Sequence, residues 1–347
     1  MGVEGASRST EPKLTYSATT IEEIFVELYG SIIGRSGSTA ELKFRCPVCG
    51  KKSLSCNTVT GLCHCFKCGY GKGESPVKGK PSKQKTTPID NELQSKLLTF
   101  SQAVSNIPPH YREYLKKRGV YNPEAYGIFI PTISLLMELR SNFTEEELEF
   151  SGLFYRFDGT LELTPALSPG RIAIPYYEGT KLIACKARRN PFFFNEGDLK
   201  YLQPRGSIAG SMVWSKLDPS ADYLILTEGE LKAITAIEHG FNCVGSSGMN
   251  ISAAAINYLT RLSKGISKIF VAYDRDADNN NALKEALGVW KRFRERAAIV
   301  VFPHTGFKVD LDSFILNNGI EALEALLQES WEKRKETVRW IENGFNV

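Results

Sequence analysis

Two cysteine pairs constrain this chain more than any other feature. CPVC occupies 46–49 and CFKC occupies 65–68, with fifteen residues between them. Four thiolates at this spacing can close a tetrahedron around one zinc ion, so Cys46, Cys49, Cys65 and Cys68 are the expected structural ligands. Gly50 and Gly69 each follow a pair directly. A residue without a Cβ lets the knuckle turn so that backbone N–H groups point at the sulfurs. The segments between the pairs read as short strands, which makes the unit a zinc ribbon. Cys56 and Cys63 are then spare, expected as small core or surface residues. His64 has ligand chemistry but sits outside the knuckle spacing.

The N-terminus is polar and lacks the apolar stretch of a secretory signal, which argues for a reducing, cytoplasmic compartment. In such a compartment clustered cysteines point to metal rather than to disulfides. The first six residues resemble the start of a myristoylation signal, weakened by Ala6. No run of 18 apolar residues occurs, so no membrane span is expected. Basic and aromatic residues crowd the ribbon: Lys43, Phe44, Arg45, Lys51, Lys52, Phe66, Lys67, Tyr70 and Lys72. This interleaving suits single-stranded nucleic acid, with phosphates neutralised and bases stacked. A solvated basic face fits the same pattern equally well. The net charge of +4 does not decide between them.

From Gly71 to Pro88 the chain carries five lysines and one acid among glycines, prolines and serines. Such a segment cannot bury a core and reads as a flexible basic linker. A ribbon on this tether could move relative to whatever follows. The whole chain, at 347 residues, has room for two or three domains. Helical spacing appears at 21–33, 91–103 and 109–118, and a strand is expected at 127–131. GRIAIPYY (170–177) and KLIACKARR (181–189) alternate in period 2 around a short turn, which predicts a hairpin ending in Lys186, Arg188 and Arg189.

Beyond residue 221, strand and helix patterns alternate, as in a parallel α/β unit. Ligands of such sheets gather at the C-terminal strand ends. The acids lie there: Glu228 after the first strand, Asp274, Asp276 and Asp278 after the third, Asp310 and Asp312 after the fourth. Carboxylates converging on one edge repel one another, and oxygen donors of this kind suit Mg²⁺ or Mn²⁺. A site of this type supports phosphoryl or nucleotidyl transfer. No G-x-x-x-x-G-K-[ST] phosphate loop is present.

LILTEGELKA, VAYDRDAD and KVDLDSF together resemble a toprim domain. PGRIAIPYY, the Lys186/Arg188/Arg189 strand and LKYLQP resemble the basic half of a DnaG-type primase core, and YLKKRG the helix that opens it. CPVCG and HCFKCG resemble the primase zinc ribbon, in a four-cysteine form similar to phage primase-helicases. The motifs run in the family's order over about residues 40–320. The resemblance implies a multidomain α/β chain: an N-terminal helix and zinc ribbon (1–72), a flexible basic linker (73–90), a mixed α+β basic subdomain (91–220), a toprim parallel-sheet domain (221–320) and a C-terminal helix (321–347).

It further implies a nucleotidyltransferase making short RNA primers from NTPs on a single-stranded DNA template. Glu228, Asp274 and Asp276 would be catalytic. Mg²⁺ or Mn²⁺ would be held by these acids with Asp310 and Asp312, and nucleotide and template by Arg171, Lys186, Arg188, Arg189, Lys200 and Lys232. Little chain follows residue 320, so the resemblance implies either a standalone primase, with a replicative helicase expected as a partner in trans, or a primase region cut from a longer protein. Lys232 departs from the pattern, because primases commonly carry aspartate four residues after the glutamate. A lysine there either weakens a metal position or holds a phosphate. It is the best support for a different reading, a non-catalytic zinc-ribbon replication adaptor. A toprim nuclease is another alternative, although its ATPase-linked form would need the missing phosphate loop.

Overall fold

In the computed structural model, residues 21–35, 41–46, 50–58, 63–67, 88–157, 160–192, 194, 198–218, 220–275, 280–304 and 306–345 are described. Helix α1 (Ile21–Tyr29) buries one stripe, Ile24, Phe25, Leu28 and Tyr29. Strands β1 (Gly34–Arg35), β2 (Glu41–Phe44), β3 (Leu54–Asn57) and β4 (Cys63–Cys65) form an antiparallel sheet in sequential order. The ring of Phe44 meets that of Phe25 edge-on at 6.2 Å, so the ribbon closes on α1.

Asp90 opens α2 (Asn91–Val104), its carboxylate accepting from the N–H groups of Glu92 and Leu93 at 2.9 and 3.1 Å. These are two of the donors a helix start leaves without partners. Helix α3 (Pro109–Lys117) starts on a proline, whose missing N–H costs nothing there. Next come α4 (Ile133–Asn142), α5 (Glu145–Phe150) and the hairpin β5 (Phe154–Phe157) and β6 (Thr160–Leu163). The sequence reading left this block unassigned. The strand expected at 127–131 reduces to one bridge, Phe129 to Ala173.

The predicted basic hairpin is present as β7 (Ile172–Glu178) and β8 (Lys181–Arg188), with β9 (Tyr201–Leu202) on its edge. Period-2 alternation divides its faces. Ile172, Ile174 and Tyr176 face a core shared with the ribbon and α3, while Ala173, Leu182 and Cys185 face a core built from α2, α4, β5 and β6. The ribbon is docked through the shared core. Phe25 and Leu28 of α1 belong to the same apolar cluster as Tyr111 and Leu115 of α3, and Glu27 reaches His110 at 3.2 Å. The linker expected at 73–90 lies outside the described residues except for its last three.

The C-terminal half contains β10 (Val213–Ser215), β11 (Tyr223–Glu228), α6 (Glu230–Glu238), β12 (Cys243–Ser246), α7 (Ala253–Leu262), β13 (Lys268–Ala272), α8 (Asn281–Phe293), β14 (Ala297–Ile299), α9 (Leu311–Asn318), α10 (Ile320–Glu332) and α11 (Arg334–Glu342). Its sheet runs β10-β12-β11-β13-β14. The last four are parallel, as the alternating pattern predicts, and β10 adds an antiparallel edge. Both faces are covered. Ile225 and Phe270 pack on the α6, α9 and α10 side, and Leu224, Leu226 and Val271 on the α7, α8 and α11 side. Burial on both faces explains why these strands read as apolar runs. The C-terminal segment, expected as one helix, breaks at Lys333, and each half packs on a different sheet face.

Candidate active site and zinc ribbon

Glu228 closes β11, and the chain turns at once into α6 through Gly229, whose φ of +90° favours glycine. The Gly229 N–H donates to the Ser246 carbonyl at 2.9 Å. A Cβ on Gly245, the neighbouring residue of β12, would stand 2.7 Å from the Gly229 carbonyl oxygen. The two strand ends can lie this close because Gly245 carries no side chain, while Gly229 is required for its backbone conformation. Asp274 follows β13 by two residues. Arg275 and Val309 exchange backbone hydrogen bonds of 2.8 and 2.9 Å, which ties the Asp274 segment to the one carrying Asp310. Asp310 then caps α9, accepting from the Ser313 N–H at 3.2 Å.

The four described acids share one charge network. Asp274 is 3% exposed; the Lys232 ammonium donates to its Oδ1 and that of Lys308 lies 2.7 Å from its Oδ2. Lys232 also stands 3.6 Å from Asp310. Arg118, at the end of α3, pairs with Asp312. Burial, then the charge of Asp274, raises Glu228 above the ordinary carboxylate range, with Lys232, Lys308 and Lys200 opposing. Burial opposes the charge on Lys232, but Asp274, Asp310 and Asp312 outweigh it and the ammonium titrates above its usual value. Burial alone would raise Asp310; Lys232 and hydrogen bonds to Asp312 and Ser313 bring it well below the carboxylate range. Asp312 is pushed up by burial against the pull of Arg118, so the bond between the two acids favours charge on Asp310. Asp276 and Asp278 lie outside the described residues.

The expected basic residues divide into two sorts. Lys186 is buried, with its ammonium 2.8 Å from Glu230, 2.9 Å from the Ser247 carbonyl and 4.4 Å from the centre of the Tyr201 ring. Tyr176 donates to the same Glu230 oxygen at 2.5 Å. Arg188 is buried and donates to the Tyr201 hydroxyl at 3.1 Å. Arg171 and Arg189 hold the carbonyls of Leu199 and Asp198, and Arg189 also stacks on Phe194 at 3.8 Å. Lys200 is exposed and close enough to Glu228 to lower it. Sequence reasoning gave no role to Lys308, Arg118, Glu230 or Tyr201. Glu230 lies two residues after Glu228, and Arg118 is the arginine of YLKKRG, but nothing in the sequence pairs them with Lys186 and Asp312.

In the ribbon, Cys46 and Cys65 are buried. Cys65 Sγ accepts the N–H of Lys67 at 3.4 Å and lies 3.0 Å from the Ser53 hydroxyl, and Gly50 turns back to the Cys46 carbonyl at 2.9 Å. A sulfur receiving an N–H from two residues on is the knuckle arrangement that favours a thiolate, so this donor chemistry fits zinc. Cys49 and Cys68 lie outside the described residues. Cys56 and Cys63, expected outside the zinc set, face each other across β3 and β4 with Cα atoms 4.0 Å apart and are disulfide-bonded, a departure from the expectation of metal rather than disulfides in this cluster. Phe44 also departs from the proposed nucleic-acid face, because the pleat turns it into the core. Phe66 stays exposed, edge-on to His64 at 4.8 Å, beside exposed Lys51, Lys52 and Lys67.

Residues 225–315 match the Toprim-like family. The DNA primase of Chlamydia trachomatis serovar D is 23% identical over 87% of this chain, and that of Chlamydia pneumoniae is 29% identical over 31% of it. The chain spans 56% and 18% of the lengths of these two relatives. Among solved structures, the zinc-binding and RNA polymerase domains of the Aquifex aeolicus primase align with a TM-score of 0.55 at 20% identity, covering 90% of this chain and 86% of that one. The E. coli primase catalytic core aligns at 0.54 and 22% identity, covering 69% of this chain and 80% of that one. Residues 225–315 are thus toprim-like, and the fold of the described chain is similar to that of the zinc-binding and RNA polymerase domains of DnaG-type primases.

Proposed function

We propose that the chain is a nucleotidyltransferase that synthesises short RNA primers on single-stranded DNA. The observation that carries this reading is the convergence of Glu228, Asp274 and Asp310 on one sheet edge, with Lys308 on Asp274 and Lys200 within range of Glu228. Oxygen donors and flexible cations facing one another suit a triphosphate and the ion that accompanies it. Glu228, Asp274 and Asp276 would hold Mg²⁺ or Mn²⁺, which when bound neutralises the pyrophosphate leaving group and acidifies the attacking 3′-hydroxyl. Asp310 acts from the start of α9, and Asp312 fixes that helix on Arg118. Lys308, with its side chain 51% exposed, is able to swing onto the phosphates, and Lys200, just before β9 and near Glu228, would contact them as well. Lys186, Arg188 and Arg171 act one step back, by fixing Glu230, Tyr201 and the 198–199 carbonyls.

The ribbon, with zinc on Cys46, Cys49, Cys65 and Cys68, would present the template through Phe66 and its lysines. A replicative helicase would deliver the strand in trans. The test is primer synthesis from labelled NTPs on mixed-sequence single-stranded DNA with Mg²⁺ or Mn²⁺. Short oligoribonucleotides are expected from the wild type, and at least about 100-fold less from Asp274→Asn. Cys46→Ser should reduce synthesis on long templates more than it reduces dinucleotide formation at high NTP. Tight binding of single-stranded DNA without product would support the adaptor reading, which the Lys232–Asp274 ion pair favours. Loss of the template itself would indicate a nuclease.

A further inference from the structure

We propose that Lys232 serves as a built-in cation between Asp274 and Asp310, so that the unliganded chain takes one divalent ion at its acidic edge and not two. This rests on the reading of that edge as a metal-dependent transfer site. Asp274 presents two oxygens, and each faces an ammonium of different character. On the Oδ2 side stands Lys308, with its side chain half exposed, long and able to leave. An entering ion can take its place, because the half-exposed ammonium can move into solvent while the ion keeps the buried carboxylate compensated. On the Oδ1 side stands Lys232, with its side chain 12% exposed, bonded to Asp274 and 3.6 Å from Asp310. Lys232 is anchored in the first turn of α6, which is packed into the core through Leu231, Ala233 and Ile234. It therefore fills the space between these two carboxylates with a fixed positive charge.

The charges around the edge agree in kind. Among the described groups, Glu228, Asp274 and Asp310 face the ammoniums of Lys232, Lys308 and Lys200. Lys308 and Lys200 are exposed and can yield to one ion, whereas a second ion would have to enter beside the buried ammonium of Lys232. Repulsion between a divalent ion and a unit charge about 4 Å apart is large in a site shielded from water.

The experiment is Mn²⁺ binding to the full, zinc-loaded chain, followed by the electron paramagnetic resonance signal of free Mn²⁺ and by calorimetry. The wild type should bind one tight Mn²⁺, lost in Asp274→Asn. Lys232→Asp should bind two, and Lys232→Met should bind its first ion about tenfold tighter or better. A second readout is thermal. Without Mn²⁺, Lys232→Met should melt roughly 5 °C below wild type, because it leaves buried carboxylates uncompensated, and Mn²⁺ should restore most of the loss. Two tight ions on the wild type would overturn the inference, as would Lys232→Asp that folds and still binds one. If Lys232→Asp does not fold, unchanged Mn²⁺ affinity in Lys232→Met overturns it. Wild-type Mn²⁺ binding by Asp274→Asn would instead strike the metal-dependent reading of the edge, and the inference with it.

Discussion

Lys186, expected among the nucleotide-binding cations, is instead buried on another side chain. Its ammonium is buried on Glu230, and the same glutamate oxygen accepts from Tyr176, so one carboxylate joins the basic hairpin to the first turn of α6. Glu230 is two residues from Glu228, and this triad therefore sets where the strand end carrying Glu228 sits. Removing one member of a buried pair leaves the other charge uncompensated. Lys186→Met is expected to destabilise the chain by about 3–5 kcal/mol in urea unfolding, and Lys186→Met with Glu230→Leu to recover most of that loss. A single variant within about 0.5 kcal/mol of wild type would mean that the pair is not what holds the hairpin to α6. The sequence exposed the residue types here but not their roles. KLIACKARR places cations on a strand, and only the register against β7 and the burial of one face separate Lys186 and Arg188, turned inward, from the more open Arg189.

At the scale of elements, most helices and strands were legible because their periodicity is strong and their ends are marked. The strand from 223 to 228 and the helix after it are separated by one glycine, and the acid at the boundary is visible in the sequence. The close approach of Gly245 to that boundary is not. Gly245→Ala is expected to cost about 1–3 kcal/mol, since the new methyl meets a backbone carbonyl that has to move, and to lower primer synthesis beyond the stability loss by shifting Glu228. Gly288, in the middle of α8, has nothing within 4 Å of where its Cβ would stand. Gly288→Ala should therefore stabilise, by roughly 0.5–1 kcal/mol. Equal effects of the two substitutions in thermal unfolding would contradict the close-approach account. The elements that escaped the sequence reading are short or weakly patterned. The 133–163 block, β10 and α9 depend on neighbours for their burial, and α10 and α11 part at Lys333 because they cover opposite faces of one sheet.

At the scale of the whole molecule, the ribbon and the core share one apolar cluster, joined at its edge by Glu27 and His110. Burial lowers His110 to about 4, so the docked imidazole is neutral at pH 7. In the unfolded chain the same group titrates near 6.5, and as pH falls from there toward 4 the unfolded state binds the extra proton. The contribution of His110 to stability is thus complete above about pH 6.5 and is lost as pH falls through 4. Glu27, raised by burial, acts in the opposite direction in the lower part of that window. The melting temperature between pH 7 and 4.5 should fall less steeply in His110→Gln than in wild type; parallel slopes would rule out this histidine as the source.

The sequence by itself determined the chemistry and the order of the parts. Metal-ligand spacing, a lysine-rich segment, an amphipathic hairpin and acids at strand ends are local patterns, and local patterns survive in one dimension. Only the tertiary structure decided which charges meet. Lys232 and Asp274 are 42 residues apart in the chain, and Arg118 and Asp312 are 194 apart. Their pairing depends on a strand order that brings β11 between β12 and β13 and on the packing of α3 against α9, neither of which leaves a trace in the spacing of any motif. The same holds for Cys56 and Cys63, neighbours only through strand register, and for Phe44, which the pleat turns inward while Lys43 and Arg45 beside it face water.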